Sequence, residues 1–214
     1  MVTKITPPVM LRWLEQFADL LAKHKDHLTA LDSAIGDADH GANMDRGFKA
    51  VLAKRAALQG KDLGEIFKMT AMTLISTVGG ASGPLYGTFF LQVGSGLTGR
   101  QEAGLEEFAA SLEKGLAGVV QRGKASPGDK TMVDVLEPAI AAFKSAAKGG
   151  LTASSLAEVA ASAEERAKAT IPLLARKGRA SYLGERSQGH QDPGATSAAY
   201  LFAALASALA SAEA

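Results

Sequence analysis

Between Leu31 and Phe48 the sequence LDSAIGDADHGANMDRGF sets Asp32, Asp37, Asp39 and Asp45, with His40, among three glycines. Carboxylates this close repel one another unless a positive charge lies between them. Glycines let the backbone turn tightly enough to aim several side chains at one point. Oxygen-only donors suit hard cations, and a few carboxylates supplemented by phosphate oxygens and water are the usual way to hold magnesium. An EF-hand is excluded, because a loop starting at Asp37 would need glutamate where Phe48 stands. The competing reading is that each aspartate caps a helix. Three of them gathered around Gly36 weigh toward a cation, and both readings stay open at this level.

Two further stretches carry polar groups in suggestive order. STVGGASGPLYG, Ser76 to Gly87, places hydroxyls and backbone amides at a helix start, which is either an anion site or a tight connector. GRASYLGERSQGHQDPGATS, Gly178 to Ser197, packs Arg179, Arg186, His190 and Asp192 into a long stretch without helical periodicity. Loops of that length in compact domains are often lids. Disorder is the alternative, against which Tyr182, Leu183 and the turn-forming Asp192-Pro193-Gly194 indicate a shaped loop.

Two nucleotide signatures nearly fit and are rejected. GSGLTG, Gly94 to Gly99, satisfies the dinucleotide pattern but lacks the strands of a parallel sheet around it. GKASPGDKT, Gly123 to Thr131, resembles a P-loop with Asp129 inserted before the lysine, which moves Lys130 off the phosphates and leaves Asp129 as a helix cap. His24 and His27 fall within the first helical pattern and receive no role.

The elements that must position these residues are helical. Met10, Leu14, Phe17 and Leu21 recur at helical spacing after Thr6 and Pro7, predicting a helix to about Leu28. Further patterns run near 43–58, 62–77, 84–97, 104–122, 130–147, 153–175 and 193–211, eight helices in all. TFFLQV, Thr88 to Val93, is the one strand candidate, and it fits a buried helix equally well. The alanine-rich C-terminal pattern requires close helix packing, because small side chains bury area only when backbones approach. The expectation is a single all-α domain over residues 1–214.

Composition limits the partners. Lys plus Arg number 23 against 22 Asp plus Glu, a net charge of +1, so no global field recruits nucleic acid or an anionic membrane. Zero cysteines exclude disulfides and thiolate metal sites. No signal-peptide pattern opens the chain and no continuous run of about 18 apolar residues spans a bilayer, so a cytoplasmic location is expected.

Taken together, AIGDADHGANMDRGF, GGASGPLYG, GDKTMVDVLEPA and GRASYLGERSQGHQDPGATS resemble, in order and over nearly the whole chain, the nucleotide-binding L-subunit family of dihydroxyacetone kinases. The matching C-terminal domain of ATP-dependent dihydroxyacetone kinases shares the resemblance. It implies an eight-helix barrel with an adenine nucleotide, ADP or ATP, and two magnesium ions at one end. By motif, Asp32, Asp37 and Asp39 correspond to the metal ligands. His40, Gly41, Ala42 and Asn43 correspond to nucleotide contacts, as do Ala81 and Ser82 in the phosphate turn. Gly123 and Met132 correspond to the adenine side, and Arg179, Asp192, Pro193 and Gly194 to the closing loop. The resemblance implies a phosphoryl-transfer subunit that acts on dihydroxyacetone, or a related small ketose, held by a separate K subunit. A multiphosphoryl M-type protein is the donor if the bound species is a recharged ADP. The alternative is a non-catalytic nucleotide-binding module that signals its bound state.

Overall fold

A computed structural model describes residues 1–212. Its helices are α1 (Pro7–Lys23), α2 (Lys25–Ile35), α3 (His40–Ala53), α4 (Arg55–Leu58), α5 (Leu63–Thr77), α6 (Ser82–Ser95), α7 (Leu105–Gly123), α8 (Val133–Ala147), α9 (Ala153–Lys168) and α10 (Pro193–Ala210), with a 3-10 segment at Arg179–Ser187. The fold is all-α, as expected. The expected count of eight helices is corrected to eleven among the described residues, counting the 3-10 segment.

The three additions have local causes. The first expected helix divides at His24, where φ −105° and ψ 16° leave helical geometry, and α2 starts afresh at Lys25. The second divides in the same way at Lys54, whose ammonium bonds Thr73 Oγ1 at 3.1 Å. Apolar spacing continues across both breaks, so periodicity alone does not reveal them. The third is the 3-10 segment inside the long loop. At the other extreme, the pattern near 153–175 overshoots, because α9 ends at Lys168 and the chain turns before Pro172. Thr88 to Val93 lies within α6 as buried helix. Among the described residues the strands are limited to an antiparallel pair, β1 (Lys4–Ile5) with β2 (Ala103–Gly104), registered Lys4 to Gly104.

Successive packing closes a ring: α1 against α10, then α9, α8, α7, α6, α5 and α3, and back to α1. Inside lies one contiguous apolar core. Trp13 is its centre, edge-on to Phe67 and Phe108 at centroid distances of 5.9 and 6.1 Å, with its indole N–H donated to Leu201 O at 2.9 Å. A buried indole N–H needs such an acceptor. The helix α10 is apolar enough by length and composition to cross a membrane, with mean hydropathy 1.3, yet 72% of it is buried within the protein. Its Ala195, Ala198, Ala204 and Ala208 are buried, so it serves as a core helix packed at close range.

Helices in the ring run alternately up and down, which gathers the connections 36–39, 78–81, 124–132 and 169–192 at one end. The entry to α3 depends on a close approach. A Cβ on Gly41 would stand 2.0 Å from Lys25 O and 2.5 Å from Thr29 Oγ1 on α2. Backbone cannot retreat by that much, so Gly41→Ala is expected to lower stability by about 1–3 kcal/mol, the usual cost of overpacking. Urea denaturation should show a lowered midpoint with unchanged slope; an unchanged midpoint would mean that α2 and α3 separate freely.

Candidate functional site

The aspartate loop is held by one side chain. Asp32, on the last turn of α2, accepts the backbone N–H of Asp39 at 2.8 Å and of His40 at 3.0 Å through a single oxygen, Oδ2. It therefore caps α3 from outside, while Asp39, at the N-cap position itself, makes no side-chain cap bond. Gly36 makes room for this: a Cβ there would lie 2.0 Å from Asp32 Oδ1. Asp37 bonds Arg179 Nη2 at 2.9 Å. One carboxylate oxygen from each of Asp32, Asp37 and Asp39 can be chosen so that all three lie within 4.8 Å of one another. Capping accounts for Asp32 Oδ2 and the Arg179 pair for one oxygen of Asp37, and neither explains why the three carboxylates gather. Clustered hard oxygens of this kind fit a divalent cation.

These residues form one wall of a cavity of about 350 Å³. Four helices, α3, α6, α8 and α10, begin at this cavity. Each helix start carries a partial positive charge, but side chains already accept amides at three of them, Asp32 at α3, Asp134 and Thr131 at α8 and Asp192 at α10. The start of α6 at Ala81 has no side-chain cap, in keeping with amides left for another acceptor. Ile35, Leu85, Val119, Met132 and Val133 add an apolar lining to the same cavity. The positive-φ non-glycine residues Ala38, Lys124 and Lys130 all fall in the connections at this end. Such backbone costs of order 1 kcal/mol or more per residue and persists where the surroundings fix it.

A buried polar chain supports the turn at 78–81 that opens α6. His40 Nδ1 meets Ser82 Oγ at 2.9 Å, and Nε2 meets Ser197 Oγ at 2.9 Å. Ser197 donates to Gly194 O at 3.0 Å and is also 2.7 Å from Tyr86 OH. With its one hydrogen committed to Gly194, Ser197 accepts from Tyr86 and from His40 Nε2–H, which leaves Nδ1 to accept from Ser82. Burial lowers the His40 pKa to about 4, against the opposing pull of the three aspartates, so the ring is neutral. Burial likewise raises Tyr86 above the usual phenol range.

Asp192 caps α10 by accepting Ala195 N–H at 2.7 Å. Burial raises its pKa to about 7, partly offset by that bond and by Lys130. The expectation that Asp129 caps the following helix is corrected. Asp129 instead accepts Ser126 N–H at 2.8 Å, while Asp134 accepts Thr131 N–H at 2.7 Å. Lys130 is buried, its ammonium bonded to the carbonyls of Thr170, Ile171 and Leu173.

Of the fifteen residues singled out in the sequence, twelve line the cavity: Asp32, Asp37, Asp39, His40, Ala81, Ser82, Gly123, Met132, Arg179, Asp192, Pro193 and Gly194. Gly41, Ala42 and Asn43 lie behind the lining, in the first turn of α3. Asn43 accepts Arg46 Nη2 at 2.6 Å and keeps its buried Nδ2 without a partner. Sequence reasoning missed Arg122 and Lys177, cations on the rim, and the Tyr86–Ser197 contact. Tyr86 and Ser197 sit inside quoted motifs, yet 111 residues separate them and no local pattern joins them.

Comparison with known proteins places the chain in a family. Residues 34–207 match the DAK2 domain. The chain is 50% identical over 198 residues to the ADP-binding subunit DhaL of the PEP-dependent dihydroxyacetone kinase of Escherichia coli, covering 92% of this chain and 94% of that protein. It is 42% identical over 205 residues to the ADP-binding subunit DhaL of the PTS-dependent enzyme of Lactococcus lactis, covering 94% and 97%. The crystal structure of the C. freundii dihydroxyacetone kinase with AMP-PNP and Mg2+ superposes with a TM-score of 0.72 at 27% identity, over 92% of this chain and 33% of that one.

Two outcomes are expected. Asp37→Asn and Asp39→Asn should each weaken Mn2+ binding at least about tenfold by titration with electron paramagnetic resonance, since each removes a ligand charge; unchanged affinity in both would make these carboxylates solvent-facing only. Folded Asp192 keeps its proton to about pH 7, against 3.8 for the ordinary carboxyl. The folded state therefore binds more protons across that interval, and Asp192 lowers stability as pH rises through it. Asp192→Asn should cap α10 equally well and gain stability relative to wild type from about pH 4 to about pH 7. Parallel pH–stability curves would contradict the buried, protonated assignment.

Proposed function

Because the chain belongs to the DAK2 domain family, we propose that it is the ADP-binding subunit of a PEP-dependent dihydroxyacetone kinase. It holds an adenine nucleotide with two magnesium ions and passes a phosphoryl group to dihydroxyacetone, or a related small ketose, on a separate K subunit. The observation that carries this reading is that the three-aspartate cluster and the uncapped start of α6 line one cavity. Hard oxygen donors and open helix amides in a single pocket suit a metal-bound polyphosphate.

In this reading Asp32, Asp37 and Asp39 hold the ions. When bound, magnesium neutralises phosphate oxygens and orients the terminal phosphoryl group for in-line transfer. The chain's own groups do the rest. The amides opening α6 at Ala81 and Ser82 receive phosphate oxygens, and neutral His40 orients the Ser82 hydroxyl. The first turn of α3, Gly41, Ala42 and Asn43, supports this wall from behind. Met132 and Gly123 flank the adenine, where a thioether offers a polarizable face. Arg179 and the turn Asp192, Pro193 and Gly194 close the phosphate end and exclude water.

The names of the relatives support a relay over exchange with ATP, since both are ADP-binding and depend on PEP or the PTS. ADP then stays bound while an M-type donor recharges it. We take residues 1–214 as one domain acting in the cytoplasm.

Mass spectrometry of the purified protein in magnesium should release ADP in near-stoichiometric amount. With that species, the chain alone should form no dihydroxyacetone phosphate from dihydroxyacetone and ATP. A K subunit with a phosphoryl donor protein should restore turnover. Nucleotide binding without turnover in the reconstituted system would identify a signalling module instead, and rapid turnover by the chain alone would remove the need for partners.

A further inference from the structure

The near-P-loop GKASPGDKT raises a question that the proposed function leaves unanswered: why its lysine is buried. Lys130 is 1% exposed. Its ammonium donates to Thr170 O at 2.9 Å, Ile171 O at 3.2 Å and Leu173 O at 3.1 Å. An ammonium has three N–H donors, so none is left for a phosphate. Burial pulls its pKa below the usual lysine range and nearby Asp192 pulls it back.

The turn that receives these bonds is the foot of the segment Thr170–Gln191, which carries Lys177, Gly178, Arg179 and Ala180 to the cavity. Both ends of the segment return to that foot. Gly189 N–H donates to Ile171 O at 2.8 Å and the Gln188 amide to Pro172 O at 3.1 Å. Asp192 N–H donates to Thr170 Oγ1 at 3.0 Å, joining the foot to the start of α10. The segment has little apolar anchorage of its own: Ala175 and Ala180 pack with Ile35 in a satellite cluster separate from the main core, with Leu183 against it. Segments with few buried apolar contacts open locally, at a free energy set by their polar ties.

We propose that Lys130 is a positioning residue that sets how long the nucleotide stays bound, by pinning the foot of the segment that closes over the cavity. The proposal rests on the nucleotide-binding reading above. Removing the ammonium takes the charged donor from three carbonyls and loosens the foot, which keeps the N–H ties from Leu173, Gly189 and Asp192, while the aspartates and helix N-termini keep their places. The variant should therefore release nucleotide faster without losing its cation site. Lys130 has φ 62°, a backbone cost common to every non-glycine residue, so Lys130→Met reports on the side chain.

The test is the dissociation rate of fluorescently labelled ADP in magnesium, measured by stopped flow with excess ADP as chase. It is read together with amide hydrogen exchange and Mn2+ affinity. Lys130→Met is expected to release nucleotide at least about tenfold faster, the scale of losing charged hydrogen bonds. It should also speed exchange at residues 170–191, with Mn2+ affinity within twofold of wild type. Thr170→Val, which unties the same foot from α10, should shift release in the same direction and carries the test if Lys130→Met does not fold. Lys144→Met, which removes an exposed pair between α8 and Glu113 of α7, should leave release unchanged. Wild-type release rates in both foot variants would overturn the proposal. A wild-type protein that binds no nucleotide would instead overturn the functional reading beneath it.

Discussion

Everything at the working end of the barrel depends on how three carboxylates are kept close together. Asp32 supplies part of the answer, because one of its oxygens accepts two backbone amides at the start of α3. Those bonds set the path of residues 36–39, and with it where Asp37 and Asp39 point. The arrangement tolerates no added bulk at Gly36, which lies against the same carboxylate. Asp37 draws on the Arg179 guanidinium, an exposed pair whose own contribution to stability is small. The remaining repulsion is what a divalent cation would relieve.

The up-and-down ring explains why such a site can exist here. Alternating helix directions bring four helix starts to one end, where side chains cap α3, α8 and α10 and the start of α6 is left without a side-chain cap. The core, built around Trp13 and its phenylalanine neighbours, fixes the helices, so the connections between them can hold costly backbone at Ala38, Lys124 and Lys130. The cavity brings the three carboxylates and the uncapped start of α6 into one lining. Met132, Leu85 and Val119 extend it as an apolar slot of the kind a nucleobase fills.

Much of this was legible in the sequence where the determining contacts are local. The aspartates lie within eight residues of each other and their glycine sits between them, so spacing alone limited their use to caps or cation ligands. The eight ring-forming helices follow from apolar periodicity for the same reason. Illegible features depend on distant or geometric partners. Breaks at His24 and Lys54 interrupt the backbone without interrupting the apolar spacing. Asp129 and Asp134 are both plausible caps in a string of letters, and only the turn geometry shows that Asp134 takes the Thr131 amide. Lys130 finds its acceptors 40 and more residues downstream, and Tyr86 meets Ser197 across the barrel, where no local pattern reaches.

The central claim is that the aspartate cluster and the helix N-termini act on one ligand, a metal-bound nucleotide. Anomalous diffraction from crystals grown with manganese and ADP tests it most directly. The account expects manganese peaks bounded by Asp32, Asp37 and Asp39, with the diphosphate of ADP bridging from them to the start of α6 at Ala81 and Ser82. Manganese bound elsewhere, or ADP seated with its phosphates turned away from the three aspartates, would contradict it.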